Sequence, residues 1–187
     1  MLGLGKKPKC AAFHLDPNRV AAAKAEAVSD GKVPYVTTND ILASGLFNAR
    51  GARIGMMGMD CREKMEGIPR DVAGNYVTAL TRDPVTFGSP TAVRRMLSST
   101  PYATTGQPLP GCYGWAFAKE SANFAMATNW SSFGQTSGMV QLQGCEMVIH
   151  LPVLNPANCV FDLAILFASG RGKVGVLCWT VSIDEDS

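Results

Sequence analysis

The sequence predicts a domain of the mixed α/β (α+β) class, in which a mixed β-sheet is covered by helices. Helix-start signals are concentrated in the first half of the chain, and strand-like apolar runs fill the second half. The last two of these runs are apolar at nearly every position, which is typical of strands buried on both faces. The 187 residues suffice for a sizeable core. We therefore expect a single domain over residues 1–187, with frayed ends at 1–9 and 184–187.

Two of the predicted helices begin with a capping side chain followed by proline. Asp16 precedes Pro17, and Ser89 precedes Pro90. Proline suits the first helical position because it lacks an N–H group that would find no partner there. Gly31 is predicted to end the first helix. The apolar positions of that helix recur at helical spacing, at Val20, Ala23, Ala27 and Val28.

Another helix start lies at residues 36–42, which read Val-Thr-Thr-Asn-Asp-Ile-Leu. Any of Thr37, Thr38 and Asn39 can cap this helix, and Asp40 suits the positive end of its dipole. Gly51 is predicted to close it. Its predicted shared face consists of Leu42, Gly45, Leu46 and Ala49.

Eight segments are predicted to form strands. The segments are residues 10–15, 53–61, 75–81, 122–130, 139–142, 145–151, 159–168 and 173–183. Residues 169–172, Ser-Gly-Arg-Gly, make a suitable hairpin connection between the last two. Residues 98–114 are rich in proline and glycine, and we expect a long loop there.

Composition argues against several classes of function. The net charge is only +2 and the basic residues are scattered, so we expect no nucleic-acid partner. No segment has the ~18 apolar residues of a membrane span, and no signal peptide is recognisable. Six cysteines form no Cys-x-x-Cys pair, so we expect no metal site and reduced thiols in a cytoplasmic protein. These cysteines are Cys10, Cys61, Cys112, Cys145, Cys159 and Cys178.

Nucleophilic or general-base catalysis needs a histidine or an activated cysteine, and the chain has only two histidines. His14 and His150 each lie in a predicted strand, and neither has an evident catalytic partner in the sequence. Packing or hydrogen bonding is the simpler interpretation of both.

Four short motifs occur in a characteristic order. They are the helix start at 36–42, then Asp-Cys-Arg-Glu-Lys-Met at 60–65, Gly-Asn-Tyr at 74–76 and Thr-Asn-Trp at 128–130. Their order and separation resemble the second half of the BAHD-type acyltransferases and their trichothecene-acetyltransferase-like relatives. The strand and helix before them, which end in Lys-Ala-Glu-Ala at 24–27, resemble the lead-in of that family. The resemblance covers residues 10–183 and implies one half of a chloramphenicol-acetyltransferase-like two-domain fold.

The resemblance implies roles for residues of each motif. Thr128 and Trp130 would face the acyl-transfer cleft near the amino end of the helix that begins at residue 38, where the tryptophan N–H suits an oxyanion. A core position for Trp130 is the alternative. Thr38 and Asn39 would line the acyl-CoA channel, although capping the helix also explains them. Structural roles are implied for Asp40, Asp60, Arg62, Gly74 and Asn75: Asp60 and Arg62 as an ion pair or turn anchor, and Gly74 and Asn75 as turn residues.

Two features of the family are missing. The catalytic His-x-x-x-Asp belongs to the family's first domain, and neither histidine here matches it, because Asn18 and Leu154 stand at the fourth place after His14 and His150. No segment matches Asp-Phe-Gly-Trp-Gly; the nearest are 132–134 and 142–145. We therefore expect the isolated chain to be inactive.

Three functions remain open on these residues. The first is the carboxyl-terminal half of an acyltransferase, whose partner is a first half encoded upstream or in a separate chain. It would use acyl-CoA as a co-substrate, with no tightly bound cofactor, and would acylate a hydroxyl or amine of a small molecule. The second is a non-catalytic acyl- or CoA-binding module. The third is a domain that interacts with another half-domain.

Overall fold

The computed structural model describes residues 9–63, 65, 67–74, 76–98, 124–131, 161–169 and 173–180. Six strands and four helices lie in these ranges. In chain order they are β1 (Lys9–His14), α1 (Pro17–Val28), α2 (Thr38–Ala49), β2 (Ile54–Asp60), β3 (Val77–Arg82), α3 (Pro84–Phe87), α4 (Pro90–Ser98), β4 (Phe124–Asn129), β5 (Asp162–Ala168) and β6 (Val174–Thr180).

The six strands form one mixed sheet in the order β1-β6-β5-β4-β2-β3. Strands β2, β4 and β5 run parallel to one another, while β6 is antiparallel to β5 and to β1. Strand β3 is antiparallel to β2 at the other edge. Four strands, β1, β2, β4 and β5, therefore point the same way, so their carboxyl ends lie at one edge of the sheet. This confirms the predicted mixed sheet covered by helices.

One face of the sheet is packed against helices. Residues of α2, α3 and α4 form a buried cluster with β2, β3 and β4, in which Phe47 is 1% exposed and Val93 is fully buried. The Phe47 and Phe87 rings lie 4.8 Å apart, centroid to centroid, directly over Gly55 at the start of β2. A Cβ at Gly55 would approach both rings to within 2.9 Å, so the absence of a side chain allows the helices to contact the strand.

The opposite face of the sheet carries a second buried cluster. It consists of Leu163, Ile165, Phe167, Leu177 and Trp179, with Met126, Trp130 and Phe161 packed against it. All seven residues of β5 are buried, which confirms the prediction that this strand is covered on both faces.

Helix α2 is rotated relative to the predicted face. The structure buries Asp40, Ala43, Ser44 and Phe47, and it leaves Gly45 and Ala49 of the predicted face exposed. The predicted Leu42 and Leu46 are only half-buried. Apolar spacing alone misplaced the stripe because two of its central positions are the polar residues Asp40 and Ser44. Helix α1 agrees with prediction: Val20, Ala23, Ala27 and Val28 are its half-buried positions, together with Lys24.

Most of the predicted boundaries are close to those observed. Each predicted strand segment that the structure describes contains a strand, but β1 begins one residue early, at Lys9 in the predicted frayed end, and β3 ends one residue late, at Arg82. Asp16 caps α1, and Thr37, one of three candidates, caps α2. The short helix α3, capped by Asp83, was not predicted. The predicted strands at 139–142 and 145–151, His150, Asn75, most of the loop at 98–114 and the ends at 1–8 and 184–187 lie outside the described residues.

Candidate functional site

The four motifs meet at the edge of the sheet where the parallel strands end. Strands β2 and β4 end at Asp60 and Asn129, and the antiparallel β3 begins there at Val77. The carboxyl end of α2 lies beside the starts of β2 and β5, because Phe47 contacts Gly55 and Arg50 pairs with Asp162. The amino end of α2 therefore lies at the opposite edge, where β2 and β4 end. Ligands of open α/β sheets bind outside the carboxyl ends of the strands, so this edge is the candidate functional site.

Arg62 fastens the loop between β2 and β3 at this edge. Its guanidinium donates to Asp60 Oδ1 at 3.1 Å, to the Val72 carbonyl at 3.1 Å and to the Gly74 carbonyl. The same guanidinium stacks over the Tyr76 ring, 5.3 Å from its centroid. Gly74 has φ of 128°, a conformation that favours glycine. The structure thus shows the predicted ion pair and turn glycine, while Asn75 is not described.

The first turn of α2 is closed by a capping box. Thr37 N–H donates to Asp40 Oδ2 at 2.7 Å, and Asp40 N–H donates to Thr37 Oγ1 at 3.3 Å. Asp40 is fully buried and pairs with Arg94 of α4, whose Nη2 lies 2.6 Å from Oδ2. The sequence contained the capping box, but nothing in it pointed to Arg94, which lies 54 residues away.

A cavity of about 430 Å³ opens between α1, the start of α2 and the β1–β6 edge of the sheet. Its walls are mostly apolar, and its polar residues are His14, Lys24, Thr38 and Lys173. The full lining is His14, Leu15, Pro17, Val20, Ala21, Lys24, Thr38, Lys173 and Val174. Among the described residues, no ion pair neutralises Lys24 or Lys173. The cavity can therefore accept an anionic group together with an apolar body.

The predicted channel residues Thr38 and Asn39 are separated by the turn of the helix. Thr38 lines the cavity, whereas Asn39 is not among its lining residues. The Asn39 side-chain oxygen is instead buried, and it has no hydrogen-bond partner among the residues that the structure describes. Lys173 and His14 had no predicted role here, because only the pairing of β1 with β6 brings them together.

Thr128 and Trp130 lie at the same edge as α2 but on the opposite face of the sheet. The Thr128 hydroxyl sits over Gly58, on the face away from the helices. Trp130 is half-buried against the second cluster, and its backbone N–H donates to the Leu166 carbonyl at 2.7 Å. The structure thus brings Thr128 and Trp130 together, and the sheet separates both from Thr38.

Two structural features are absent from the described part of the chain. No helix there is long and apolar enough to cross a membrane. Within the same residues, no group of three or more His, Cys, Asp or Glu side chains could hold a metal ion.

Comparisons with known proteins give a structural likeness only. No profile of a known protein family matches the chain, and no curated protein matches it. Among solved structures, vinorine synthase matches with a TM-score of 0.60 and 14% identity over 97% of this chain and 45% of its own. The first condensation domain of the CDA synthetase also matches, with a TM-score of 0.43 and 12% identity, over 96% of this chain and 42% of its own. The chain thus spans less than half the length of these proteins, and its fold is that of one half of a chloramphenicol-acetyltransferase-like two-domain structure.

Proposed function

We propose that this chain is the carboxyl-terminal half of an acyltransferase that moves an acyl group from acyl-CoA to a hydroxyl or amine. The observation that carries the proposal is the convergence of four motifs on one edge of the sheet. Residues 37–40, 60–62, 74 and 128–130 are spread over more than ninety positions of the sequence. The first group begins α2, the second and the last lie where β2 and β4 end, and Gly74 lies in the loop that joins β2 to β3 at the same edge. Ligands of open α/β sheets bind at this edge, which supports a shared functional site for these residues.

The cavity supports acyl-CoA as the co-substrate. Coenzyme A joins phosphate groups to a long and less polar arm. Lys24 and Lys173 offer cations for the phosphates, and the apolar wall of the cavity suits the arm. Thr38 adds a hydroxyl at the first turn of α2, where the helix dipole also favours an anion.

The chemistry needs a base that the described residues do not offer by motif. In the reaction, the acceptor oxygen or nitrogen attacks the thioester carbon as its proton passes to a base, and the carbonyl oxygen becomes an oxyanion. The C–S bond then breaks and CoA leaves as its thiol after taking up a proton. Thr128 and Trp130 are the candidate oxyanion donors, and the first half contributes the histidine.

The test is a complete enzyme, in which this chain is joined to a first half that carries His-x-x-x-Asp. Release of free CoA from acetyl-, malonyl- and longer acyl-CoA is measured with mixed alcohols and amines. We expect turnover in the joined enzyme and none in the isolated chain. Trp130→Phe should lower turnover by about 10²–10³-fold, because it removes one oxyanion donor and keeps the ring. Turnover by the isolated chain that survives His14→Ala and His150→Ala would contradict the proposal.

A non-catalytic CoA-binding module is the second candidate, because this chain alone lines the cavity. It predicts that the isolated chain binds CoA tightly while the joined enzyme shows no turnover. In either case Lys24→Gln and Lys173→Gln should weaken CoA binding. Lys32→Gln is the matched control, since Lys32 is exposed, pairs with Asp30 at 2.8 Å and lies outside the cavity.

A further inference from the structure

The buried carboxylate of Asp40 is held by a residue that no motif contains. Asp40 is fully buried, and a carboxylate in that position needs a cationic partner to offset its lost hydration. Arg94 supplies it with two donors, Nε at 2.8 Å and Nη2 at 2.6 Å from Oδ2. Because the Asp40 carboxylate of this capping box is buried and its cationic partner belongs to α4, the start of α2 depends on α4.

Arg94 also binds the residues that lead into α2. Its Nη2 donates to Thr37 Oγ1 at 3.0 Å, and its guanidinium stacks on the Tyr35 ring, 4.9 Å from the centroid. One guanidinium thus contacts Tyr35, Thr37 and Asp40, on both sides of Thr38. Its side chain is only 13% exposed, so water screens these contacts weakly.

Arg94 does not contact the cavity, but it fixes a residue that does. Thr38 lines the cavity and is flanked by residues that Arg94 holds, whereas Arg94 itself is not part of the described lining. We infer that Arg94 is a positioning residue, which sets the first turn of α2 against the cavity and so controls the affinity of the cavity for CoA. The inference rests on the proposed function for the identity of the ligand.

The other end of α2 provides a matched control. Arg50 pairs there with Asp162, whose side chain is only 5% exposed, so α2 is tied at both ends by an arginine–aspartate pair. Neither Arg50 nor Asp162 lines the cavity. Arg94→Met and Arg50→Met each keep the alkyl stem and remove the charge, but only the first change acts on the turn that carries Thr38.

Two measurements test the role of Arg94. Amide hydrogen exchange in Arg94→Met should rise about tenfold over residues 36–42, as a lost cap allows, and Arg50→Met should leave that segment unchanged. Coenzyme A titrated into each protein and followed by NMR should bind Arg94→Met roughly 3- to 30-fold more weakly than wild type. Arg50→Met should keep the wild-type affinity. Arg94→Lys keeps a positive charge beside the Asp40 carboxylate but cannot also bridge to Thr37. Its affinity for coenzyme A should therefore fall between that of wild type and that of Arg94→Met.

The outcomes distinguish the positioning role of Arg94 from the proposed function on which it rests. Wild-type affinity in folded Arg94→Met, or unchanged exchange over 36–42, overturns the role of Arg94 and leaves the proposed function standing. Equal weakening by Arg50→Met also overturns it, since the effect would then be general loss of stability. No binding of CoA by any protein, wild type included, overturns the proposed ligand. If Arg94→Met does not fold, Arg94→Lys decides, and wild-type affinity and exchange in that variant overturn the inference.

Discussion

Thr128 is a candidate oxyanion donor, and its position over Gly58 can be tested by adding a single methyl group. A Cβ at Gly58 would lie 2.9 Å from Thr128 Oγ1 and 3.5 Å from Thr128 Cβ. The first distance is too short for any real contact, and the second is an ordinary one. The hydroxyl alone therefore opposes a side chain at position 58.

The two effects of Gly58→Ala have opposite signs. Over-packing of this kind costs about 1–3 kcal/mol, because threonine is β-branched and has few other rotamers in a strand. Loss of glycine's unfolded-state freedom stabilises by about 0.5–1 kcal/mol. We expect Gly58→Ala to destabilise the protein by about 1 kcal/mol. In a Thr128→Ala background the hydroxyl is gone, and the same change should stabilise by about 0.5 kcal/mol.

A double-mutant cycle measures this reversal of sign. Urea and thermal unfolding of the four proteins give the coupling free energy, and each kcal/mol should move the melting temperature by about 2–4 °C in a chain of this size. If Gly58→Ala has the same effect in both backgrounds, the Thr128 hydroxyl does not lie over Gly58. The assignment of Thr128 to the face opposite the cavity would then be wrong.

Three further predictions address the packing, the charges and the thiols. Gly55→Ala should destabilise by about 1–3 kcal/mol in urea unfolding, because its Cβ would meet two buried phenylalanine rings. Gly45→Ala, at an exposed position of α2 with open space around it, should stabilise by up to about 1 kcal/mol; equal effects would contradict the packing. Asp162→Ala should cost roughly 2–4 kcal/mol by removing the buried carboxylate that pairs with Arg50, and a change below about 0.5 kcal/mol would show that the pair is not formed. Burial raises the pKa of the Cys178 thiol, which lowers its thiolate fraction at pH 8. Peptide mapping after brief iodoacetamide treatment should therefore find the exposed Cys10 alkylated before Cys178, and the reverse order would refute this.

Local signals account for the parts of the fold that the sequence predicted well. Asp16 with Pro17 starts a helix through contacts within one turn, and the sequence contains this whole signal. The start of α2 was also predicted, although three residues remained candidates for the cap, and the structure shows that Thr37 caps it in a box with Asp40. The apolar run of β5 likewise reports its burial directly. Helix α3 escaped prediction because one turn of four residues is too short to show a period.

Long-range pairing explains what the sequence could not give. Arg94 with Asp40 and Arg50 with Asp162 join residues 54 and 112 positions apart, and no spacing rule connects them. Asp162 stands within the apolar run of residues 159–168, yet it pairs with Arg50 at the carboxyl end of α2. The cavity also depends on long-range pairing, since the pairing of β1 with β6 brings Lys173 to the same cavity as Lys24.

The placement of the candidate residues bears on how a complete enzyme would work. Thr38 and the two lysines lie on the helix-covered side of the sheet, whereas Thr128 and Trp130 lie on the other, and only the edge connects them. Under the proposed function, the reacting thioester therefore sits at the edge itself. An oxyanion there is stabilised well only if water is excluded, because hydrogen bonds to a charge weaken in a medium of high dielectric constant. The first half must then do more than contribute a histidine. It must cover this edge, so a free histidine-like base such as imidazole, added to the isolated chain with acyl-CoA, should not restore turnover.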